Sequence, residues 1–422
     1  MMFWRRARPD LLMIHRYFSP DAPPYASLLR EIAGHMVNDG YRVRVVAGRR
    51  AHVGGAVEKK QPICEELDGI DVVRVPLVKE RRGGGVGRAL NTAVFLVIVF
   101  VAVVLWRPGV VTFSTMPPVA LGAVVRGALG LMGRGGCYIY HCQDLYPEAA
   151  VVSGLVCESH PIYRVGRKVE AGNRARAGAI VVLSQDMRAT AVRGGAPEAR
   201  VHVINNFSCM EKRDLGLHRR EESRGIRIAF AGNLGRFQGV GDVAVAVERL
   251  CKRRGDLEFL FIGEGPARGE VELIQDRKVR VMGYQPPDET FRWLEESDLG
   301  LVPLKPGLLD VAYPSKVITY LAAGCGLVVV GEDATELGRT VREFDVGEVA
   351  PPGDVEELMA AIDRAAAKAG PDLARRAREC HSALFKRRDA LERWSKLVGN
   401  LQGQCKGGFG RKFRLVERER DC

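Results

Sequence analysis

No Cys-x-x-Cys occurs among the ten cysteines, at positions 64, 137, 142, 157, 209, 251, 325, 380, 405 and 422, and most lie inside apolar runs. A free thiol in such a run behaves as a small hydrophobe. Neither a zinc site nor a disulfide framework is expected, and the thiols point to a reducing compartment. No phosphate-binding loop of the form Gly-x4-Gly-Lys-Ser/Thr is present. Gly263-x-Gly265-x-x-x-Gly269 approaches a dinucleotide fingerprint, but its spacing is one residue too long and no acidic residue closes the second strand of that unit. No long apolar core precedes Pro9, despite Arg5, Arg6 and Arg8, so no secretory leader is expected. A concentrated basic face with interleaved aromatics is also missing. Net charge is +12, but the basic clusters at Arg5–Arg8, Lys79–Arg88, Arg219–Arg227, Lys386–Arg388 and Lys406–Arg420 are scattered. That pattern disfavours nucleic acid as a partner and suits an anionic membrane surface or phosphate-rich ligands.

What is present is a long alternation of strand and helix signals. The 422 residues, 46% of them hydrophobic, suffice for two ordinary cores. Strands are expected at Leu11–His15, Val43–Ala47, Val72–Val75, Val110–Ser114, Tyr138–His141, Ala179–Leu183 and Val201–Ile204. A second series follows at Ile226–Ala231, Leu257–Ile262, Val279–Met282, Leu299–Val302, Leu327–Val330 and Gly347–Ala350. Helical patterns separate them, among them Ser27–Asp39, Glu148–Ala177, Val240–Arg253 and Asp354–Lys368. Continuously apolar strands alternating with helices imply parallel sheets covered on both faces. The expected fold class is α/β, with two doubly wound domains at 1–207 and 208–384 and the polar stretch Ser208–Arg224 as linker. A helix at 385–402 is expected to cross back to the first domain, followed by a basic, flexible tail at 403–422.

One segment breaks the soluble pattern. Ala93–Trp106 is almost wholly apolar, ends at Arg107-Pro108-Gly109, and follows a basic collar with Arg81, Arg82 and Arg88. A spanning helix needs about 20 apolar residues, so this run reads either as a core helix or as a membrane-associated helix over 89–106 held by anionic headgroups.

In open α/β sheets ligands sit outside the carboxyl ends of the strands. The loops there are rich in glycine and charge: Tyr17 to Pro24 and Tyr25 after the first strand, Cys142–Glu148 after the fifth, Gly232–Gly239, and Gly263–Pro266. The most informative is Tyr313–Gly324, a loop that turns into a helix with a lysine in its first turn. Proline suits a first helical position. The unpaired N–H groups of a helix start, with the dipole, attract phosphate, and Lys316 adds a full charge beside them. A capped structural helix with a solvated lysine is the plainer alternative.

Taken in order, Phe18-Ser-Pro-Asp-Ala-Pro-Pro, Gln143-Asp-Leu-Tyr-Pro-Glu, Ile204-Asn-Asn-Phe, Phe230-Ala-Gly-Asn-Leu-Gly-Arg-Phe-Gln-Gly, Ile262-Gly-Glu-Gly-Pro and Pro314-Ser-Lys-x3-Tyr-Leu-Ala-Ala-Gly resemble glycosyltransferase family 4. The likeness is to its capsule, O-antigen and exopolysaccharide enzymes, which have the two-domain GT-B fold. The resemblance implies a retaining glycosyltransferase that moves a sugar from a nucleotide-diphosphate sugar, UDP- or GDP-linked, to a glycan acceptor. A polyprenyl-diphosphate-linked saccharide on the cytoplasmic face of the cell membrane is the acceptor it suggests. The donor would be held by Gly232, Asn233, Gly235, Arg236, Gly263, Glu264, Gly265, Tyr284, Pro314, Ser315 and Lys316. Tyr17, Pro24, Tyr25 and Glu148 would face the acceptor. No metal and no further cofactor is implied, and the absence of an Asp-x-Asp pair agrees with that.

Glycosyl transfer needs stabilisation of the departing phosphate and of an oxocarbenium-like centre, with a base for the acceptor hydroxyl. Lys316 supplies the first, and His141 or Asp144 could position or activate the acceptor. A packed strand-end histidine and a turn-capping aspartate are the structural alternatives. The chain departs from the wider family: Asn233 and Gln238 occupy a loop that often carries Arg and Lys, and Val311 and Thr319 replace a Glu-x7-Glu pair. Those departures keep open a non-catalytic sugar-nucleotide or partner-binding protein and a GT-B epimerase or phosphorylase.

Overall fold

The computed structural model describes residues 7–21, 24–49, 61–78, 85–114, 119–208, 225–235 and 238–407. The chain divides into two compact units. The first holds residues up to 148, 157–205 and those from 388 onward; the second holds 149–156 and 206–387.

The first unit runs β1 (Leu11–Ile14), α1 (Pro24–Asn38), β2 (Val43–Arg49), β3 (Cys64–Leu67), β4 (Ile70–Pro76), α2 (Gly85–Trp106), β5 (Val110–Ser114), α3 (Ala120–Leu131) and β6 (Tyr138–His141). After α4 (Glu148–Val152), which beyond Glu148 belongs to the second unit, it continues through α5 (Pro161–Arg176), β7 (Ala179–Val182), α6 (Gln185–Arg193) and β8 (Val201–Val203). Its sheet has the order β3-β4-β2-β1-β5-β6-β7-β8. The central strands are mainly apolar and buried throughout, as a sheet covered on both faces requires. Seven strands are parallel; β3 is not. It pairs antiparallel with β4 across Asp68 and Gly69, both at positive φ. That is the geometry of a two-residue Asp-Gly hairpin, a signal the sequence reading passed over.

Two differences from expectation lie in this unit. The apolar run at 93–106 is the later part of a longer helix, the 22-residue α2. Its Phe95, Val99, Ala102, Val103 and Trp106 pack inward, while Val97, Val101 and Leu105 are exposed. It is long and apolar enough to cross a membrane by length and composition, with about a third of it buried. Arg81 and Arg82 lie outside the described residues.

The second difference concerns cysteine. Cys137 and Cys405 form a disulfide, with Cα atoms 5.8 Å apart, where none was expected. The two sulfurs are 268 positions apart in sequence, so no spacing motif could mark them. Cys405 belongs to α14 (Arg387–Lys406), which runs past residue 402 into the stretch read as tail; 408–422 lie outside the described residues. Ala390, Leu391, Trp394, Leu397, Val398 and Leu401 form the buried stripe of α14, spaced as one face of a helix.

The second unit comprises β9 (Ile226–Ala231), α7 (Val240–Arg253), β10 (Leu257–Ile262), α8 (Arg268–Glu272), β11 (Val279–Met282), α9 (Pro287–Glu295) and β12 (Leu299–Pro303). It ends with α10 (Ser315–Ala323), β13 (Gly326–Val330), α11 (Glu336–Glu343), β14 (Gly347–Ala350), α12 (Val355–Ala367) and α13 (Pro371–Leu384). Six parallel strands lie in the order β11-β10-β9-β12-β13-β14. Phe230, Phe259, Phe261, Leu250 and Leu301 are central to the core. In both units the strand order reverses direction once, between β1 and β5 and between β9 and β12. Those switch points are where the sheets open a crevice at their carboxyl ends.

Candidate functional site

In the second unit the switch point is lined by three chain segments. β9 and β10 end side by side, Ala231 opposite Ile262, so the loops after them are neighbours. Gly232 N donates to Ile262 O at 2.9 Å, and Leu234 N to Glu264 O at 2.9 Å. The fit is close. A Cβ on Gly263 (φ 143°) would stand 1.9 Å from Gly232 O, and one on Gly265 (φ 157°) 2.2 Å from Leu234 O. Only glycine allows both the backbone angle and the approach.

The third segment is the start of α10. Pro314 is its N-cap, with no side chain bonded to the first turn. The helix is anchored to β9 twice. Tyr320, fully buried, accepts a hydrogen bond from Ala231 N at 2.8 Å. Lys316 Nζ lies 3.9 Å from the centre of the Phe230 ring and donates to Gln238 Oε1 at 2.8 Å. No salt bridge holds this ammonium among the described residues. Burial alone pushes its pKa down to about 7. The side chain is half-buried, and desolvation outweighs the ring and the amide. The Lys316 ammonium is thus short of an anion.

Other expected donor residues take varied positions. Gly232 and Asn233 are exposed, Gly235 is buried and Ser315 is exposed on the first turn of α10. Glu264 is engaged by Arg268 at 2.5 Å, which also meets Glu272. Tyr284 is exposed. Arg236 lies outside the described residues. Val311 is buried, and Thr319 half-buried on α10.

In the first unit, register brings His15, Ser114 and His141 to one edge, since β1 pairs with β5 and β5 with β6 in parallel. His141 is buried, with its pKa pushed down to about 3 by burial and then by His15. Its Nε2 is 2.7 Å from the Gln143 amide nitrogen and its Nδ1 2.8 Å from Tyr25 Oη. An amide N–H facing Nε2 makes that nitrogen the acceptor and leaves the proton on Nδ1. His15, held by Tyr17 O at 2.7 Å, packs edge-on to Tyr25, and Trp394 of α14 packs edge-on to His141. His141 is therefore neutral with both ring nitrogens occupied. Its geometry is that of a positioning residue.

Asp144 differs. It lies in the loop beyond β6, no hydrogen bond or ion pair holds its carboxylate among the described residues, and burial raises its pKa to about 6. A desolvated carboxyl group titrating near neutrality suits proton transfer. The loop is pinned from behind by Arg174. Its guanidinium binds both oxygens of Glu148, at 3.0 and 2.9 Å, and Tyr146 O at 2.7 Å. Glu148, expected to face the acceptor, is thus occupied in this ion pair. Glu170 accepts from Tyr140 Oη at 2.8 Å and has its pKa raised to about 7 by burial. Tyr17 and Tyr25 are half-buried; Pro24 starts α1, and its side chain lies outside the description.

Arg174 and Trp394 in the first unit, and Phe230 and Tyr320 in the second, support the groups described and were not singled out in the sequence. Phe230 stood within a quoted motif, and Tyr320 lies four residues after Lys316, on the same face of α10. Arg174 and Trp394 come from distant segments with no local signature.

Residues 25–206 match the Glycosyl transferase 4-like domain family and residues 225–368 the Glycosyl transferases group 1 family. The chain is 28% identical over 271 residues to the probable glycosyltransferase WbjE of Pseudomonas aeruginosa, covering 61% of this chain and 66% of that one. It is 25% identical over 376 residues to the putative colanic acid biosynthesis glycosyl transferase WcaI of Escherichia coli K12, covering 82% and 90%. Among solved structures it is similar to Anabaena HepE in complex with UDP-glucose, at TM-score 0.63 and 14% identity, over 92% of this chain and 99% of that one. The pair of Rossmann-like units is the GT-B fold.

Proposed function

The chain belongs to the glycosyltransferases of polysaccharide biosynthesis, with a family 4-like first half and a group 1 second half, and from that premise we propose that it transfers a sugar from a nucleotide-diphosphate sugar to a lipid-linked glycan with retention at the anomeric carbon. The observation that carries this reading is Lys316: a half-buried ammonium with a ring and an amide for partners, beside two interlocked glycine loops and a helix start. A diphosphate supplies the anion that this arrangement lacks. HepE, which holds UDP-glucose, favours a uridine diphosphate donor.

In this reading the bond between the anomeric carbon and the diphosphate oxygen breaks as the acceptor oxygen attacks. Negative charge passes to the leaving diphosphate, where Lys316 and the N–H groups of the α10 start stabilise it. They stand where a metal ion would otherwise supply positive charge, so a chelator should leave the rate unchanged. Asp144 takes the acceptor proton. His141, Tyr25 and Gln143 hold the floor beneath it. The acceptor is taken from the membrane, with α2 lying at the cytoplasmic leaflet.

The test is to incubate the protein with a panel of UDP- and GDP-sugars and a membrane extract, and to follow release of nucleoside diphosphate and the anomeric configuration of the product. Asp144→Asn should lower turnover by about 10²–10⁴-fold with no loss of melting temperature, since an ionised carboxylate without partners is unfavourable where it stands. Binding of nucleotide with no transfer to any acceptor would favour the non-catalytic alternative, which the Val311 and Thr319 positions motivate.

A further inference from the structure

The strands β4, β5, β6 and β7 follow one another in a single direction across the first sheet, apart from the step over β2 and β1. Right-handed crossovers therefore place α2, α3 and α5 on one face, and α2 packs on α3 and α3 on α5. The outer side of this three-helix layer is unusual in two ways. Along α2 it is apolar for about 30 Å, with Leu90, Val97, Val101 and Leu105 exposed and Leu131 continuing it at the end of α3. Along α5 it is basic: Arg164, Arg167, Lys168 and Arg176 are all exposed, with Val165 among them and Ile162 just ahead. The single acidic residue of α5, Glu170, is buried at 1% exposure beneath Tyr140 and Arg174. No carboxylate of α5 thus neutralises its outer cations.

We propose that this α2–α3–α5 face docks on an anionic lipid bilayer, the apolar side of α2 entering the headgroup–acyl boundary and the basic side of α5 pairing with lipid phosphates. It deepens the membrane part of the reading above, from one helix to a platform of three. An apolar stripe beside a basic one is the pattern of a helix layer lying in the interface plane. Crossing the bilayer does not suit α2. Phe95, Val99, Ala102 and Val103 face the interior, and three residues after Trp106 the chain enters β5, paired on both sides within the sheet. An exposed apolar band of this length needs a cover, and four cations beside it select a negative one.

The test needs no sugar transfer, so it stands or falls apart from the enzymatic reading. The protein is floated with phosphatidylglycerol-containing and with pure phosphatidylcholine vesicles, at low and high salt. Wild type should bind the anionic vesicles more tightly and lose that preference in high salt. Each basic residue near such a surface is worth about fivefold in partition, so Arg164→Gln/Arg167→Gln/Lys168→Gln should weaken anionic binding by on the order of 100-fold and leave binding to neutral vesicles unchanged. Val97→Ser/Val101→Ser/Leu105→Ser should weaken both. A polarity-sensitive fluorophore at Val165→Cys, in a Cys157→Ser background, should shift to the blue on anionic vesicles. Undiminished anionic binding by the glutamine variant, no spectral shift at position 165, or wild type that ignores vesicles and instead self-associates would each overturn the proposal.

Discussion

Lys316 shows how much a single half-buried cation can decide. The ammonium rests on the Phe230 ring and Gln238, and burial holds its pKa near 7. A diphosphate would favour the charged form and raise that pKa. Binding therefore takes up a proton wherever the free protein has lost one. The sign follows: above about pH 7 the free lysine is increasingly neutral, so nucleoside diphosphate affinity should fall as pH rises. The limit is tenfold per pH unit, between about 7 and the higher pKa of the complex. Calorimetry with UDP in buffers of different ionisation enthalpy measures this uptake directly. Lys316→Gln should abolish the slope and weaken binding by about 1.5–3 kcal/mol at neutral pH. An equal slope in that variant would place the titrating group elsewhere. The lysine at a helix start was legible in the sequence. Its partner was not, because Phe230 reads as one more residue of a buried strand.

At the scale of elements, α14 is the instructive case. It belongs to the first unit although it follows the second in the chain. Trp394 carries its largest buried side chain and meets His141 with ring centroids 4.8 Å apart. Ser395 donates to Asp39 at the end of α1, and Cys405 is bonded to Cys137 ahead of β6. The helix thus braces the strand end that carries the histidine. Trp394→Ala should cost about 3–5 kcal/mol, seen as an early unfolding of the first unit in chemical denaturation. At temperatures where the variant remains folded, turnover should fall while UDP affinity stays, because in the proposed reading the donor loops lie in the other unit. Loss of UDP affinity in parallel with turnover would contradict that division. The apolar stripe of α14 was visible as a helical pattern, but its docking site was not. Nothing in residues 387–406 specifies which of two sheets they cover.

For the whole molecule, two cores divide the work, and ligand linkage can report on each. In the proposed reading a nucleoside diphosphate binds only the folded second unit, so at 100 times its dissociation constant it should stabilise that unit by about 2.7 kcal/mol. In a thermal melt the transition of the second unit should move upward on adding UDP, and Lys316→Gln should remove the shift. A shift confined to the first unit would reverse the assignment of donor and acceptor sides. The sequence by itself determined the α/β class, the two series of parallel strands and the glycine loops at their ends. These are local consequences of apolar runs, turn chemistry and helix starts, each read within a dozen residues. It also set the ordered motifs that mark the glycosyltransferase family. Only the tertiary structure decided which groups are paired and which are left wanting a partner. It occupied Glu148 with Arg174 and enclosed His141 between Tyr25, Gln143 and Trp394. Among the described residues it left Asp144 and Lys316 without an ion-pair partner and turned the apolar side of α2 outward beside the cations of α5. Pairing and exposure depend on distances between segments far apart in the chain, and those distances exist only once the sheets have formed.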